Sequence, residues 1–328
     1  MTQHSAQRKL FNPFRGTVYL NRGGYGHIFR LPDTAIVVKI AHRIINSTAG
    51  EEARTAEDRE MLRERALYEA LATKPPHPNI VQYFLSTDMA IFLRFEPDTL
   101  ERRLSRRLAT PIPEKRQFSW IKEIASAASW LESLDYFHGD LRPENILLDE
   151  TEHVKVCDFG RAQKRGCKVE VATYPFYRPC KNAAAGPAHE QFAIGSCIYT
   201  IRTGEVPYGQ WETPEEFRRM YEALLRGEYP PTEDDGVLGH IVSSCWHSNY
   251  NSMEDVEAAI QRVVGMLCEE DSAVRLSREE HDFCVRKCQE FLARQRQEEP
   301  KGTIPVGCDV VAMPMDALEG RLALGPLA

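Results

Sequence analysis

No stretch of about 18 consecutive apolar residues occurs in the chain, so the sequence offers no helix able to cross a membrane. The opening segment MTQHSAQRKLFNPF lacks the apolar core of a secretory signal. Nine cysteines are scattered without a disulfide-like spacing, which points to reduced thiols and an expected cytoplasmic or nuclear location. Positive charge is not in excess: 41 Lys and Arg against 48 Asp and Glu leave a formal charge of -7. Binding to nucleic acid by bulk electrostatics is therefore not expected. There is also no internal repeat. Cys284 and Cys288 are four apart on a predicted helix, but a metal would need two further ligands, so two buried or half-buried thiols are expected.

What is present suffices for one large two-lobed domain or two ordinary ones, since 42% of the 328 residues are hydrophobic. Residues 17–40 alternate β-branched and aromatic residues around a glycine cluster, predicting three strands and two turns. Between Glu51 and Leu71 apolar residues recur at helical spacing (Met61, Leu62, Ala66, Leu67, Ala70, Leu71), and Pro75 and Pro76 end the pattern. Strands are predicted at 80–85 and 90–95, helices at 100–108 and 119–134, and several helices between 191 and 297. Two apolar runs, 146–148 and 154–157, are separated by a polar turn and read as a hairpin. A strand-rich first third before a helix-rich remainder predicts an α+β chain with two lobes and a cleft. The expected boundaries are an extension at 1–16, an N-lobe with hinge at 17–96, a C-lobe at 97–298 and a flexible tail at 299–328.

Three stretches carry chemistry. The run Asn21-Arg22-Gly23-Gly24-Tyr25-Gly26-His27-Ile28 joins two predicted strands. Glycines let a backbone approach phosphates and offer them its N–H groups, although a glycine-rich hairpin is commonly only a turn. No helix follows it, which argues against a dinucleotide-binding fold and leaves a strand-flanked loop of the kind that covers ATP. Lys39 ends the apolar run Ile36-Val37-Val38; a lysine there lies at an exposed edge or, if buried, needs a carboxylate. Glu64 is the chosen partner, with Glu60 one turn earlier as the alternative. The third stretch is His138-Gly139-Asp140-Leu141-Arg142-Pro143-Glu144-Asn145, followed after the hairpin by Asp158-Phe159-Gly160. Phosphoryl transfer needs a carboxylate to orient and deprotonate the attacking hydroxyl. It also needs an amide oxygen and a second carboxylate for Mg²⁺, and a cation near the γ-phosphate. Asp140, Asn145, Asp158 and Arg142 supply that set in order; any one alone would be an ordinary loop residue.

With these motifs in chain order, the sequence resembles the eukaryotic-type protein kinase superfamily from about Tyr19 to Val264. His77-Pro78-Asn79-Ile80-Val81, Phe192-Ala193-Ile194-Gly195, Gly204-Glu205-Val206-Pro207-Tyr208 and Cys245-Trp246 resemble further segments of that family. The resemblance implies a bilobal fold with a β-rich N-lobe and a helical C-lobe. It implies ATP and Mg²⁺ as cofactors, with ATP near Asn21, Gly23, Gly24, Gly26, Ile28, Val37 and Lys39. Leu93 would be the gatekeeper, and Phe95 and Glu96 would belong to the hinge. Asp140, Arg142, Lys39 and Glu64 would carry catalysis, Asn145 and Asp158 the metal, and Thr173 would pack beside Asp140 at the substrate. Arg142-Pro143-Glu144 and Thr173 resemble the serine/threonine class. The expected function is transfer of the γ-phosphate of ATP to protein hydroxyls, with an unidentified protein substrate and a monomeric state. The alternative is a pseudokinase that binds nucleotide or a partner without turnover; a small-molecule phosphotransferase is a third reading.

The departures from the family pattern come partly in pairs. Gly139 stands where regulated kinases carry an arginine that grips a phosphorylated loop, and residues 161–172 contain no serine, threonine or tyrosine. Activity independent of phosphorylation in that loop is therefore expected. Cys180 replaces the glutamate of the family's A-P-E motif, and its arginine partner is absent from residues 245–251, so an apolar or neutral replacement is expected. Asn21, Val37 and Arg142 replace the usual glycine, alanine and lysine, and Glu190 replaces an aspartate with no evident compensation. Two arginine-rich segments, Arg102, Arg103, Arg106 and Arg107, then Arg161, Lys164, Arg165 and Lys168, read as a solvated face or as a basic rim for acidic substrates.

Overall fold

The computed structural model describes residues 9–10, 12, 14–23, 26–41, 44–45, 51–169, 173–179, 184–265, 267, 273 and 275–297. The strands are β1 (Lys9–Leu10), β2 (Val18–Arg22), β3 (Gly26–Arg30), β4 (Ile36–Ala41), β5 (Ile44–Ile45), β6 (Tyr83–Ser86) and β7 (Ala90–Arg94). They continue with β8 (Asp98–Thr99), β9 (Tyr136–Phe137), β10 (Ile146–Leu148), β11 (Val154–Val156) and β12 (Gln163–Lys164). The helices are α1 (Glu51–Leu71), α2 (Leu100–Ser105), α3 (Glu114–Ser133), α4 (Pro187–Thr203), α5 (Pro214–Arg226), α6 (Gly239–Trp246), α7 (Met253–Val264) and α8 (Arg278–Gln297). Helix α3 begins a turn earlier than its apolar pattern predicts, directly after Pro113, whose fixed φ suits a helix start. Helix α2 stops at Ser105 rather than at 108.

The described residues form two compact units. The first comprises the chain up to Arg65, Tyr83–Phe95 and the part from Leu276 onward; the second comprises Ala66–Gln82 and Glu96–Arg275. In the first unit a five-stranded antiparallel sheet runs in the order β2-β3-β4-β7-β6. All six residues of β4 are buried, so both faces of that strand are covered. Side chains alternate across a strand: Ile36, Val38 and Ile40 enter one core with Phe14, Phe29, Phe84 and Phe92, which puts Val37 and Lys39 on the opposite face. Cys288 and Phe291 of α8 complete that same core. Phe14 and Phe291 meet at 5.6 Å, and Gln295 accepts from the Arg15 N–H at 2.9 Å. The C-terminal helix thus packs in the first unit, not with the 97–298 block in which the sequence placed it. Cys284 is half-buried and Cys288 buried.

In the second unit α4 packs closely on α6 because position 195 lacks a side chain: a Cβ there would lie 2.8 Å from the Cβ of Cys245. Trp246 donates to the Ser196 hydroxyl at 3.0 Å across the same seam. The β10–β11 hairpin pairs Ile146 with Val156 and Leu148 with Val154. Glu123 of α3 pins it, accepting from the Val154 N–H at 2.6 Å and meeting His153 Nδ1 at 2.6 Å. His77 lies with its ring 5.3 Å from that of Trp130 and accepts from the Asn79 N–H. Burial, helped by Arg275 and Lys155, lowers its pKa from 6.5 to about 4. The folded state thus favours neutral His77, a contribution fully present above pH 6.5 and lost as pH falls towards 4. At 1.36 kcal/mol per pKa unit this is about 3 kcal/mol. Urea unfolding from pH 7 to pH 4 should show a loss of that order, reduced in His77→Gln; an equal loss in the variant would assign it to other groups.

Candidate active site

Helix α1 buries Met61, Glu64, Leu67, Tyr68 and Leu71. Their three- and four-residue spacing makes one stripe, and it carries a carboxylate among apolar neighbours. Leu62, predicted on that stripe, is exposed. Glu64 Oε2 lies 2.6 Å from Lys39 Nζ, with both side chains at most 4% exposed. Glu64, the expected partner, is in contact with Lys39. On β4, Val37 pairs with Leu93 and Lys39 with Ile91; Val37 and Leu93 are both buried. Phe95 donates its N–H to the Ala35 carbonyl at 2.9 Å, and the Arg30 guanidinium sits 4.2 Å over its ring.

The glycine turn is closed by the Gly23 N–H donating to the Gly26 carbonyl at 2.8 Å. A Cβ at Gly26 would lie 2.5 Å from the Ile40 carbonyl oxygen, so glycine here is demanded by the neighbouring strand whatever the loop binds. Ile28 pairs with Asn21 and with Lys39 on its two sides. Asn21 is exposed, and its Oδ1 accepts from the Arg22 N–H. Gly24 lies outside the described residues.

The second unit carries the other group. Asn145 donates through Nδ2 to the Asp140 carbonyl at 2.7 Å and to Asp140 Oδ2 at 3.1 Å. Its Oδ1 is the amide atom not engaged in these bonds. Asp140 Oδ1 has Arg161 Nη1 at 3.3 Å and Arg142 Nε at 3.5 Å. Arg142 also reaches Glu144 at 3.2 Å. The Thr173 hydroxyl accepts from Arg161 Nη1 at 2.6 Å, the same nitrogen that lies 3.3 Å from Asp140 Oδ1, so Arg161 joins the two. Asp158 has φ of 65°, an uncommon conformation for a side-chain-bearing residue that clusters at functional sites. Phe159 is fully buried against Tyr68 at 5.1 Å and His138 at 5.2 Å. His138 donates from Nε2 to the Cys157 carbonyl (2.9 Å) and accepts the Asp140 N–H on Nδ1 (3.3 Å), bracing the loop between them. Glu96, expected at the hinge, is buried in this unit.

A family model, the protein kinase domain, matches residues 16–286. The chain belongs to the protein kinase family. Curated relatives match at low identity. The serine/threonine-protein kinase GIN4 of Saccharomyces cerevisiae is 27% identical over 173 residues, 49% of this chain and 15% of that protein. Serine/threonine-protein kinase RUNKEL of Arabidopsis thaliana is 26% identical over 168 residues, 47% of this chain and 12% of that protein. Mouse sperm motility kinase 3A is 26% identical over 206 residues, 58% of this chain and 39% of that protein. The matched segments therefore span well under half of these relatives.

Three residues of this kinase domain have roles that linear spacing did not reveal. Glu190 of α4 is 2% exposed and accepts from the backbone N–H groups of His138 (3.1 Å) and Gly139 (3.3 Å). Burial pushes its pKa above the ordinary carboxylate value. The Glu190 carboxylate takes both of these backbone N–H groups of the His138–Asn145 loop. Gln191, next to it, exchanges two hydrogen bonds with the backbone of Tyr250, a neutral tie in the segment that lacks the family's arginine; Cys180 lies outside the described residues. Arg161, read only as loop charge, contacts Asp140. The basic segments are also largely self-neutralised: Arg102 and Arg106 pair with Asp98, Arg103 with Glu152, and Arg165 with Glu132 and Asp135. That weighs against a basic rim offered to acidic substrates.

Proposed function

We propose that the protein is an active serine/threonine protein kinase, transferring the γ-phosphate of ATP to protein hydroxyls without activation-loop phosphorylation. The observation that carries this reading is the Lys39–Glu64 pair at 2.6 Å, both groups almost wholly buried. Desolvating two charges is a poor way to add stability, because apolar replacements of similar size often do as well or better. A buried cation kept in one position by a carboxylate has a use when it must meet phosphate oxygens.

Asp140 is the base in this reading: Asn145 orients one carboxylate oxygen, and the other accepts the proton of the attacking hydroxyl. The donor set fits a hard divalent cation, since the Asn145 carbonyl oxygen and the Asp158 carboxylate are oxygen ligands. Bound Mg²⁺ would neutralise charge on the phosphates. Lys39 would position them and Arg142 would lie near the transferred group, with a planar fork in place of an ammonium. The glycine turn with Asn21, Gly23, Gly24 and Gly26 would cover the nucleotide, and Ile28, Val37, Leu93, Phe95 and Glu96 would surround the adenine. A cytoplasmic or nuclear location suits the scattered thiols.

The test is Mg²⁺-dependent transfer from labelled ATP to a mixed protein substrate. Lys39→Met should lower the rate by about 10²–10³-fold, the loss expected when one preorganised charge is removed. Full activity in that variant would remove Lys39 from the mechanism. A wild type that binds nucleotide but transfers nothing favours the pseudokinase reading, for which the occupation of Asp140 Oδ1 by two guanidinium groups is the supporting observation.

A further inference from the structure

We propose that Arg161 is a positioning residue that holds the activation segment to the catalytic loop in place of a phosphate. The inference rests on the kinase reading above and names the device that makes phosphorylation there unnecessary. One guanidinium nitrogen, Nη1, bridges Asp140 Oδ1 at 3.3 Å and the Thr173 hydroxyl at 2.6 Å. It thereby joins the start of the segment to a residue twelve positions further on and ties both to the proposed base. The bond to the Thr173 hydroxyl has a charged donor, which makes it strong and directional, and the contact to Asp140 is an ion pair.

Gly139 is the independent observation that links this bridge to the missing arginine. It has φ of 73°, and a Cβ there would lie 2.6 Å from the Arg161 carbonyl oxygen. Absence of a side chain at 139 lets the Arg161 backbone close onto the catalytic loop, which is held from below by Glu190 on the Gly139 N–H. The cationic side chain has, in effect, moved from one wall of this site to the other. A cavity lined by Gly139, Asp140, Arg161, Thr173, Tyr177 and His189 lies beside the bridge.

The rest of the segment is also tied without phosphate. Strand β12 pairs with β9. The Gly166 N–H donates to the Ala185 carbonyl at 2.8 Å, and the Ala185 N–H to that of Cys167 at 2.7 Å. Arg165 reaches Glu132 at 2.9 Å and lies 5.1 Å over the Phe137 ring. These bonds hold residues 163–167. Arg161 extends the hold to Thr173.

The test uses the full chain and two readouts. Hydrogen exchange is followed in peptides covering 161–169 and 173–179, with the β10–β11 hairpin as internal control; steady-state transfer is measured in the same samples. Arg161→Gln should speed exchange at 173–179 by about tenfold or more while the hairpin is unchanged. It should lower kcat by about 10- to 100-fold, the effect of a small misplacement of reacting groups, with KM for ATP unchanged. Arg161→Lys should rescue part of both, and Thr173→Val should reproduce the exchange effect with Arg161 intact. Unchanged exchange at 173–179 in Arg161→Gln, or in Thr173→Val should the first variant not fold, overturns the proposal. A wild type that transfers no phosphate overturns the kinase reading instead, while the exchange result still decides the role of Arg161.

Discussion

Replacing Asp140 by asparagine should slow phosphate transfer by about 10²–10⁴-fold and leave nucleotide binding near the wild-type level. The range is that of a lost positioned base, and the geometry explains why the swap is more than a loss of basicity. Asp140 is contacted on both oxygens: Oδ2 accepts from Asn145 Nδ2 at 3.1 Å, and Oδ1 forms ion pairs with Arg161 and Arg142 at 3.3 and 3.5 Å. An asparagine must turn an NH₂ towards one of those donors, so the loop loses a bond as well as an acceptor for the proton. Initial rates with labelled ATP, compared with nucleotide titration of the same samples, separate the two effects. A variant that transfers at the wild-type rate means that Asp140 is not the base.

Restoring the family's arginine at position 139 should damage the fold without creating phosphorylation control. Gly139 has φ of 73°, where a side-chain-bearing residue costs about 1–2 kcal/mol. Its Cβ would also press on the Arg161 carbonyl, a backbone atom that cannot swing away, and overpacking of this kind costs about 1–3 kcal/mol. Gly139→Arg and Gly139→Ala should both lower stability by about 2–5 kcal/mol on these two costs, read as the shift in urea midpoint at constant slope. No activating phosphate can follow in residues 161–172, which hold no hydroxyl side chain. A shift under about 0.5 kcal/mol, the level of an ordinary surface change, would mean that residue 161 does not lie against position 139.

Much of the architecture was legible because it is written in local periods. Helix α1 spans Glu51–Leu71 as predicted, since its 3.6-residue pattern is bounded by a proline pair. The β10–β11 hairpin and the three strands from Val18 to Ala41 also fall where alternation and turn residues put them. The choice of Glu64 over Glu60 is readable from its distance to the His77-Pro78-Asn79 turn, and Met61, Leu67 and Leu71 are buried as their spacing predicts, whereas Leu62 and Ala66 are exposed. Arg161 gave no signal in the chain, because a charged residue in a loop looks alike whether it faces water or a carboxylate. Glu190 stands out in the sequence only as a departure; the two backbone N–H groups that donate to it are 51 and 52 positions away.

The sequence by itself determined the family, the order of the chemical motifs, the class of fold and the boundaries of its most periodic elements. Each of these follows from residue type and spacing along a few turns or strands. Only the tertiary structure decided that α8 completes the core of the first unit, that Gly26 is required by the carbonyl of Ile40, and that Arg161 joins Asp140 to Thr173. Those outcomes depend on which surfaces meet after the chain has folded. Close approach of two backbones, or burial of a charge beside a distant partner, leaves no periodic trace in the residues that make it.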